Sequence, residues 1–132
     1  MRSVLADTGP LYALVDSDDQ YHVRARGEVE RLARERITIT VACPILLEAY
    51  SLILYRLGIK MAHSWVEELT AGVGLLNPHR DDYARAAQRI RQYTDQSITL
   101  VDGVVAVLSD QLDLPVWTYD HHFDVMGAQV WR

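Results

Sequence analysis

Four acidic residues occupy positions from which they could act together: Asp7, Glu48, Asp102 and Asp120. Carboxylates gathered within ~5 Å repel one another by a few kcal/mol at a protein-like dielectric, and a bound divalent cation removes that conflict. Hard oxygen ligands favour Mg²⁺ or Mn²⁺. Such a site can orient a phosphodiester, generate hydroxide from water and stabilise the leaving oxygen. These residue types therefore predict metal-assisted hydrolysis of a phosphodiester bond.

Two of the acids stand within apolar segments. Glu48 interrupts the apolar residues 45–50, and Asp102 interrupts residues 100–105. An isolated buried charge is very costly, so each carboxylate must be paired, protonated or bound to a cation. The only nearby basic residue in sequence is Arg56, two turns from Glu48. Cation binding is therefore the favoured explanation for the two acids together.

Each acid taken singly also has an ordinary structural explanation. Asp7 and Asp120 are typical turn or helix-cap residues. Glu48 fits a polar stripe on one helix face. Asp102 fits a capping box that begins at Thr99, since Thr-x-x-Asp is a helix-start pattern. The sequence alone leaves these alternatives open for each residue.

Alternating strands and helices must position these acids. The apolar and β-branched runs predict strands at residues 3–6, 37–41, 73–76 and 116–118, with a short fifth at 129–131. The helical patterns cover residues 10–16, 21–36, 44–57, 60–70, 81–93 and 99–112. This order predicts an α/β fold, a three-layer α/β/α sandwich around a mainly parallel sheet of four or five strands. Sites in such folds form outside the carboxyl ends of the strands, where the acids fall.

Composition fits one domain over residues 1–132, since the chain has 132 residues and is 49% hydrophobic. The lone Cys43 excludes an intrachain disulfide and a cysteine-rich metal site, which favours a reducing cytoplasm. No segment has the pattern of an export signal or a membrane span. We therefore expect a cytoplasmic protein that does not contact a membrane.

Net charge by itself does not decide whether the partner is a nucleic acid. The formal charge of -5 argues against one, yet four clustered acids account for much of that excess. Arginines concentrate in residues 24–36 and again in residues 80–91. From the second group, Arg85, Arg89 and Arg91 are candidate phosphate contacts. The first group pairs equally well with neighbouring glutamates on a solvated helix face.

The blocks that carry these acids resemble a known family. They are residues 5–16, which include Asp7-Thr8-Gly9-Pro10, residues 45–49, residues 101–103, and residues 117–123, which include Thr118-Tyr119-Asp120. Their order and spacing are similar to those of the PIN domain, and within that family to the VapC-type toxins of bacterial toxin–antitoxin modules. The resemblance extends over nearly the whole chain.

The resemblance implies a Mg²⁺- or Mn²⁺-dependent endoribonuclease that cuts tRNA or other structured RNA. It assigns the acids of the site to Asp7, Glu48, Asp102 and Asp120, with Thr8 and Thr118 in supporting positions. Asp7, Asp102 and Asp120 are predicted metal ligands, and Glu48 is a further ligand or the general base. The resemblance also implies a homodimer and a small antitoxin that blocks the acidic pocket.

Two departures from the family pattern leave the number of metal ions open. Many relatives carry a further acid where this chain has Thr99, and others carry Asp in place of His122. Fewer carboxylates weaken a second metal site, so one-metal and two-metal mechanisms both remain. For His122 a metal ligand is one alternative, and a surface or packing residue, as for His121, is the favoured interpretation.

Other functions that use acids at a sheet edge fit less well. Phosphatases of the haloacid dehalogenase type need Asp-x-Asp, and this chain has Gly9 at the second position. A receiver domain needs a late lysine, whereas Lys60 is mid-chain. The triplet at residues 120–122 matches the DHH phosphoesterases, but those proteins are much longer. A non-catalytic RNA- or protein-binding module on the same fold is the alternative from another class, and metal titration would discriminate it.

Overall fold

The computed structural model of the protein describes residues 2–132. The strands are β1 (Ser3–Ala6), β2 (Thr38–Ala42), β3 (Gly74–Leu76) and β4 (Val116–Trp117). The helices are α1 (Thr8–Val15), α2 (His22–Arg34), α3 (Cys43–Leu57), α4 (Ile59–Gly72), α5 (Arg80–Ile90), α6 (Leu100–Leu112) and α7 (His122–Val125). Every predicted helix is present, with ends shifted by a few residues. The short helix α7 was not predicted.

The strands form one parallel sheet in the order β3-β2-β1-β4. The predicted fifth strand at residues 129–131 is reduced to a single parallel bridge between Val116 and Val130. The predicted α/β fold with a central parallel sheet flanked by helices is confirmed, and the sheet has four strands.

The strand order creates a crevice beside β1. From β1 the chain adds β2 and then β3 on one side, and it later returns to place β4 on the other side of β1. The helices pack in two sets. In the first set, α1 contacts α2 and α3, and α3 also contacts α4. In the second set, α6 contacts α5 and α7. Right-handed crossovers place these sets on opposite faces of the sheet. Ligands bind where the strand order reverses, which here is the carboxyl end of β1 and β4.

The central strands and α6 supply most of the core. Val4, Leu5 and Trp117 are almost completely buried, as are most residues of α6. Helix α3 buries a stripe of small and branched residues and leaves the apolar side chains of Leu47 and Tyr55 exposed. Its strong hydrophobicity therefore comes from two faces, only one of which packs against this chain.

Two glycines are required by the backbone and the packing. Gly58 has φ +95°, which L side chains rarely adopt, and it ends α3 and turns the chain directly into α4. At Gly103, a Cβ would lie 2.8 Å from Cγ2 of Ile90 and 3.2 Å from the carbonyl oxygen of Ala86. Its lack of a side chain lets α6 approach α5 closely next to Asp102.

Within residues 2–132, no helix combines the length and the apolar character that crossing a membrane requires.

Candidate active site

Asp7 directly follows β1 and points toward β4. The register pairs Ala6 with Trp117, so the next residues of the two strands, Asp7 and Thr118, lie side by side. The Thr118 hydroxyl donates a hydrogen bond to Oδ2 of Asp7 at 2.8 Å. Asp7 occupies the N-cap position of α1 but makes no side-chain capping bond, and it is only 5% exposed. Capping therefore does not account for its carboxylate.

Glu48 reaches the same edge from the second turn of α3. Thr8, the first residue of α1, donates its hydroxyl to Oε1 of Glu48 at 2.5 Å. Since α1 follows β1 and α3 follows β2, this bond ties together the chain segments at the carboxyl ends of two neighbouring strands. Thr8 therefore lies in direct contact with one of the four acids, and its supporting role stays a prediction.

Asp102 and Asp120 complete the set of four. Asp102 lies in the first turn of α6, where its N–H donates to Oγ1 of the capping residue Thr99 at 3.1 Å, and its own carboxylate is buried. Asp120 follows β4, and its N–H donates to Oγ1 of Thr118 at 2.9 Å. One threonine hydroxyl therefore contacts two of the acids, Asp7 through its proton and Asp120 through its oxygen.

A single cleft of about 370 Å³ contains all four acids. The other residues that line it are Thr8, Gly9, Tyr12, Asp19, Gln20, Tyr21, Leu52, Arg56, Thr99 and Tyr119. A larger cavity of about 580 Å³ lies elsewhere and includes none of the four acids. Arg56 is the one lysine or arginine among the residues that line the acidic cleft, so most of the negative charge there has no basic partner.

The electrostatics of the cleft reflect this imbalance. Burial raises the pKa of Asp7 from 3.8 to about 7, and the Asp102 and Glu48 carboxylates add to the rise against the opposing Thr118 hydrogen bond. Burial also raises the pKa of Asp102 to about 6, with a further contribution from the Asp120 carboxylate. Both acids are poorly stabilised as anions. Buried carboxylates with raised pKa values are groups that a divalent cation would stabilise as anions by supplying positive charge.

Aromatic residues form one wall of the cleft, and sequence reasoning did not identify them. The rings of Tyr21 and Tyr119 lie 4.6 Å apart between centroids, and the Arg24 guanidinium lies 4.4 Å from the Tyr119 ring. Oε1 of Glu28 accepts hydrogen bonds from the Tyr119 hydroxyl at 2.5 Å and from Nε1 of Trp117 at 3.1 Å. These contacts join α2 to the end of β4. No periodic pattern in the sequence relates these distant residues.

The three arginines predicted as phosphate contacts do not line this cleft. Arg89 is ion-paired with Asp110 and donates to the Met126 carbonyl oxygen at 2.7 Å. Arg85 lies 3.6 Å from a carboxylate one turn earlier in α5. Arg91 is exposed at the end of α5. A phosphate contact by any of the three stays a prediction, and the arginine that the structure does bring to the acids is Arg56.

The two neighbouring histidines differ in their surroundings. The side chain of His121 is 73% exposed, as predicted for a surface residue. The side chain of His122 is only 17% exposed, and its Nδ1 lies 3.4 Å from Oδ1 of Asp120 and 3.8 Å from Oδ2 of Asp102. His122 therefore faces two of the four acids.

The fold also recurs among solved structures. The chain is similar to VapC20 of Mycobacterium tuberculosis, described as a sarcin-ricin loop cleaving toxin, with TM-score 0.84, 17% identity and coverage of 98% of each chain. VapBC2 of Rickettsia felis, solved with a DNA fragment from its promoter, gives TM-score 0.76 and 11% identity over 98% of this chain and 97% of that one. FitAcB of Neisseria gonorrhoeae gives TM-score 0.68 and 16% identity over 98% of this chain and 96% of that one.

No curated protein matches the chain in sequence. The family profile described as PIN domain, however, matches residues 4–129, a range that contains all four acids and nearly the complete sheet. The chain belongs to the PIN domain family.

Proposed function

We propose that this protein is a Mg²⁺- or Mn²⁺-dependent endoribonuclease, the toxin component of a type II toxin–antitoxin module. The observation that carries the proposal is the convergence of Asp7, Glu48, Asp102 and Asp120 in one cleft with a single arginine. Burial and the neighbouring carboxylates raise the pKa values of Asp7 and Asp102, and a bound cation would favour both anions. Membership of the PIN domain family supports the same chemistry.

Each residue of the cleft has a defined part in this proposal. Asp7, Asp102 and Asp120 hold the cation, and Glu48 either holds it or accepts a proton from the attacking water. A divalent cation bound there would polarise the scissile phosphate and lower the pKa of a bound water. Thr8 orients the Glu48 carboxylate by its hydrogen bond. Because only one oxygen of Glu48 accepts that bond, the other is available to a cation or a water molecule.

The substrate and partners follow from the family likeness and from the surface. The fold similarity to a sarcin-ricin loop cleaving toxin supports a structured RNA as substrate. A homodimer and a small antitoxin are also part of the proposal. Leu47, Tyr55 and Ile59, on α3 and α4, are all more than half exposed, and such apolar side chains are typical of protein interfaces. Cys43 is a free thiol, which fits the proposed cytoplasmic location.

Cleavage of RNA in the presence and absence of a chelator tests the proposal directly. Purified protein with Mn²⁺ or Mg²⁺ should cut total RNA at a small number of positions, and EDTA should abolish cutting. Gel analysis and mapping of the new ends provide the measurement. If the protein binds Mn²⁺ specifically but cuts no RNA, a non-catalytic binding module becomes the better description.

Replacing Thr118 by Val should weaken metal binding by about 10- to 100-fold, the usual cost of losing a group that orients metal ligands. Valine has the same shape but no hydroxyl, so Asp7 loses its donor and the Asp120 N–H loses its acceptor. Calorimetric titration with Mn²⁺ measures the change. Thr118→Ser keeps the hydroxyl and serves as the control. Equal affinities for the wild type and the valine variant would refute this role of Thr118.

Replacing Arg56 by Ala should raise KM for RNA about fivefold and flatten its dependence on salt, because one exposed phosphate contact is worth about 1 kcal/mol. Arg56 lines the acidic cleft on α3, and its guanidinium lies 5.2 Å from the Tyr12 ring. The value of kcat should change less. Arg91→Ala is the matched comparison, since Arg91 is exposed outside the cleft. A larger effect at Arg91 would instead support the contact predicted from the sequence.

A further inference from the structure

His122 holds an unpaired nitrogen inside the protein. Within residues 2–132, its Nδ1 is the one buried side-chain nitrogen or oxygen that has no hydrogen-bond partner. A buried polar atom without a partner is unfavourable, and in a native protein it often marks an ion or water that completes the site. An ion or a water molecule beside this nitrogen would complete its surroundings.

The backbone directs His122 toward the acids. Its N–H donates to Oδ1 of Asp120 at 2.9 Å, which holds the start of α7 against the loop after β4. The next residue, Phe123, is completely buried and anchors α7 in the core. With the backbone fixed in this way, Nδ1 comes to lie 3.4 Å from Oδ1 of Asp120 and 3.8 Å from Oδ2 of Asp102.

These distances suit a shared cation better than direct hydrogen bonds. Both exceed the usual length of a nitrogen–oxygen hydrogen bond, yet two ligands of one cation are commonly this far apart. Ligand atoms of Asp120, His121 and His122 all lie within 4.8 Å of one another, close enough to hold a metal ion. Of the two histidines, His121 is 73% exposed and approaches only Asp120, whereas His122 approaches both acids.

We propose that His122, through Nδ1, is a ligand of the cation in the acidic cleft, so that the site has mixed oxygen and nitrogen donors and prefers Mn²⁺ to Mg²⁺. This inference rests on the proposed function, because it concerns the same cation. Imidazole nitrogen suits transition metals, whereas Mg²⁺ binds almost entirely through oxygen. Cleavage by this protein should accordingly be supported at lower concentrations of Mn²⁺ than of Mg²⁺.

The opposing explanation is that Nδ1 carries a proton and donates it toward Asp102 and Asp120. The two explanations predict opposite effects of removing the ring. A protonated ring competes with the cation, so its loss would tighten metal binding. A ligating ring contributes to the affinity, so its loss would weaken the binding of Mn²⁺ more than that of Mg²⁺.

Pulsed electron paramagnetic resonance on the full chain with Mn²⁺ tests the inference. In protein labelled with ¹⁵N only at histidine, a bound ring nitrogen should give a ¹⁵N coupling, and His122→Gln should remove it. His121→Gln should keep it. Calorimetry should show Mn²⁺ affinity reduced about tenfold or more in His122→Gln, with a smaller change for Mg²⁺. A coupling that persists in His121→Gln excludes the neighbouring ring, so the assignment to His122 keeps support even if His122→Gln folds poorly.

The outcomes separate this inference from the function on which it rests. If Mn²⁺ binds without a histidine coupling, or if His122→Gln binds it more tightly, His122 is not a ligand, while the nuclease proposal stands. If wild-type protein binds neither Mn²⁺ nor Mg²⁺ specifically, both proposals fail.

Discussion

Replacing Asp7 by Asn is expected to lower metal-dependent RNA cleavage by about 10²- to 10³-fold, the usual cost of removing one electrostatic contact to a transition state. Asp7 directly follows β1, which lies between β2 and β4, and it is buried beside Asp102 and Glu48. The amide removes the negative charge and keeps nearly the same shape. Single-turnover cleavage of a mapped RNA substrate at saturating Mn²⁺ measures the loss.

The same substitution should not damage the fold. The carbonyl oxygen of the introduced asparagine side chain can accept the Thr118 hydrogen bond that Oδ2 of Asp7 now accepts. The substitution also removes a charge that burial makes unfavourable. A loss of activity with unchanged or higher thermal stability therefore separates a role in the site from a role in folding.

Asp95→Asn is the matched control for this experiment, since Asp95 is an exposed acid that does not line the cleft. It should retain full activity. Full Mg²⁺-dependent cleavage by Asp7→Asn would show that the site has been assigned wrongly.

The second large effect is on stability: without metal, the protein should become less stable as the pH rises from about 4 to about 7. The pKa of Asp7 rises from 3.8 in an unfolded chain to about 7 in the folded one, because burial disfavours the anion. The unfolded chain therefore releases this proton at a lower pH than the folded chain does, and the free energy of unfolding falls as the pH rises.

The size of this effect follows from the two pKa values. Asp7 contributes about 4 kcal/mol to the free energy of unfolding below pH 3.8, and this contribution is lost by the time the pH passes 7. About 2–3 kcal/mol of it is lost between pH 5 and pH 7.5. The pKa of Asp102, raised to about 6, acts in the same direction. Urea unfolding in the presence of EDTA at both pH values measures the difference.

Asp7→Asn and added metal are the controls for this stability measurement. The variant cannot titrate at position 7, so most of the decline between pH 5 and pH 7.5 should disappear. Mn²⁺ at 100 times its Kd should restore about 2.7 kcal/mol at pH 7.5, the stabilisation expected from a cation that binds the folded, ionised site and not the unfolded chain. A wild-type protein that becomes more stable over this interval in EDTA would contradict the cause given for the raised pKa values.

Much of the architecture could be predicted because it depends on local patterns. The β-branched run that became β2 and the apolar run that became β1 each carry their own strand signal. Gly58 ends α3 as predicted, since few other residues adopt its positive φ. Helix α7 was missed because it has only four residues, too few for a helical period to appear.

The convergence of Asp7, Glu48, Asp102 and Asp120 could also be anticipated, because the carboxyl ends of parallel strands share one edge. For Asp102 this required the direction of α6 as well. Helix α6 leads directly into β4 and lies close to α5 at Gly103, and this packing between helices is not specified by the sequence pattern alone.

By itself, the sequence determined the order of strands and helices and the acids that follow them, since hydrophobic period and turn residues act over a few neighbouring positions. Only the tertiary structure decided which other groups join those acids. It brought Arg56 into the cleft, paired Arg89 with Asp110 away from it, and directed His122 toward Asp102 and Asp120. The physical reason is that the face a side chain presents depends on how helices pack across the sheet, and that packing is settled by contacts between residues far apart in the chain.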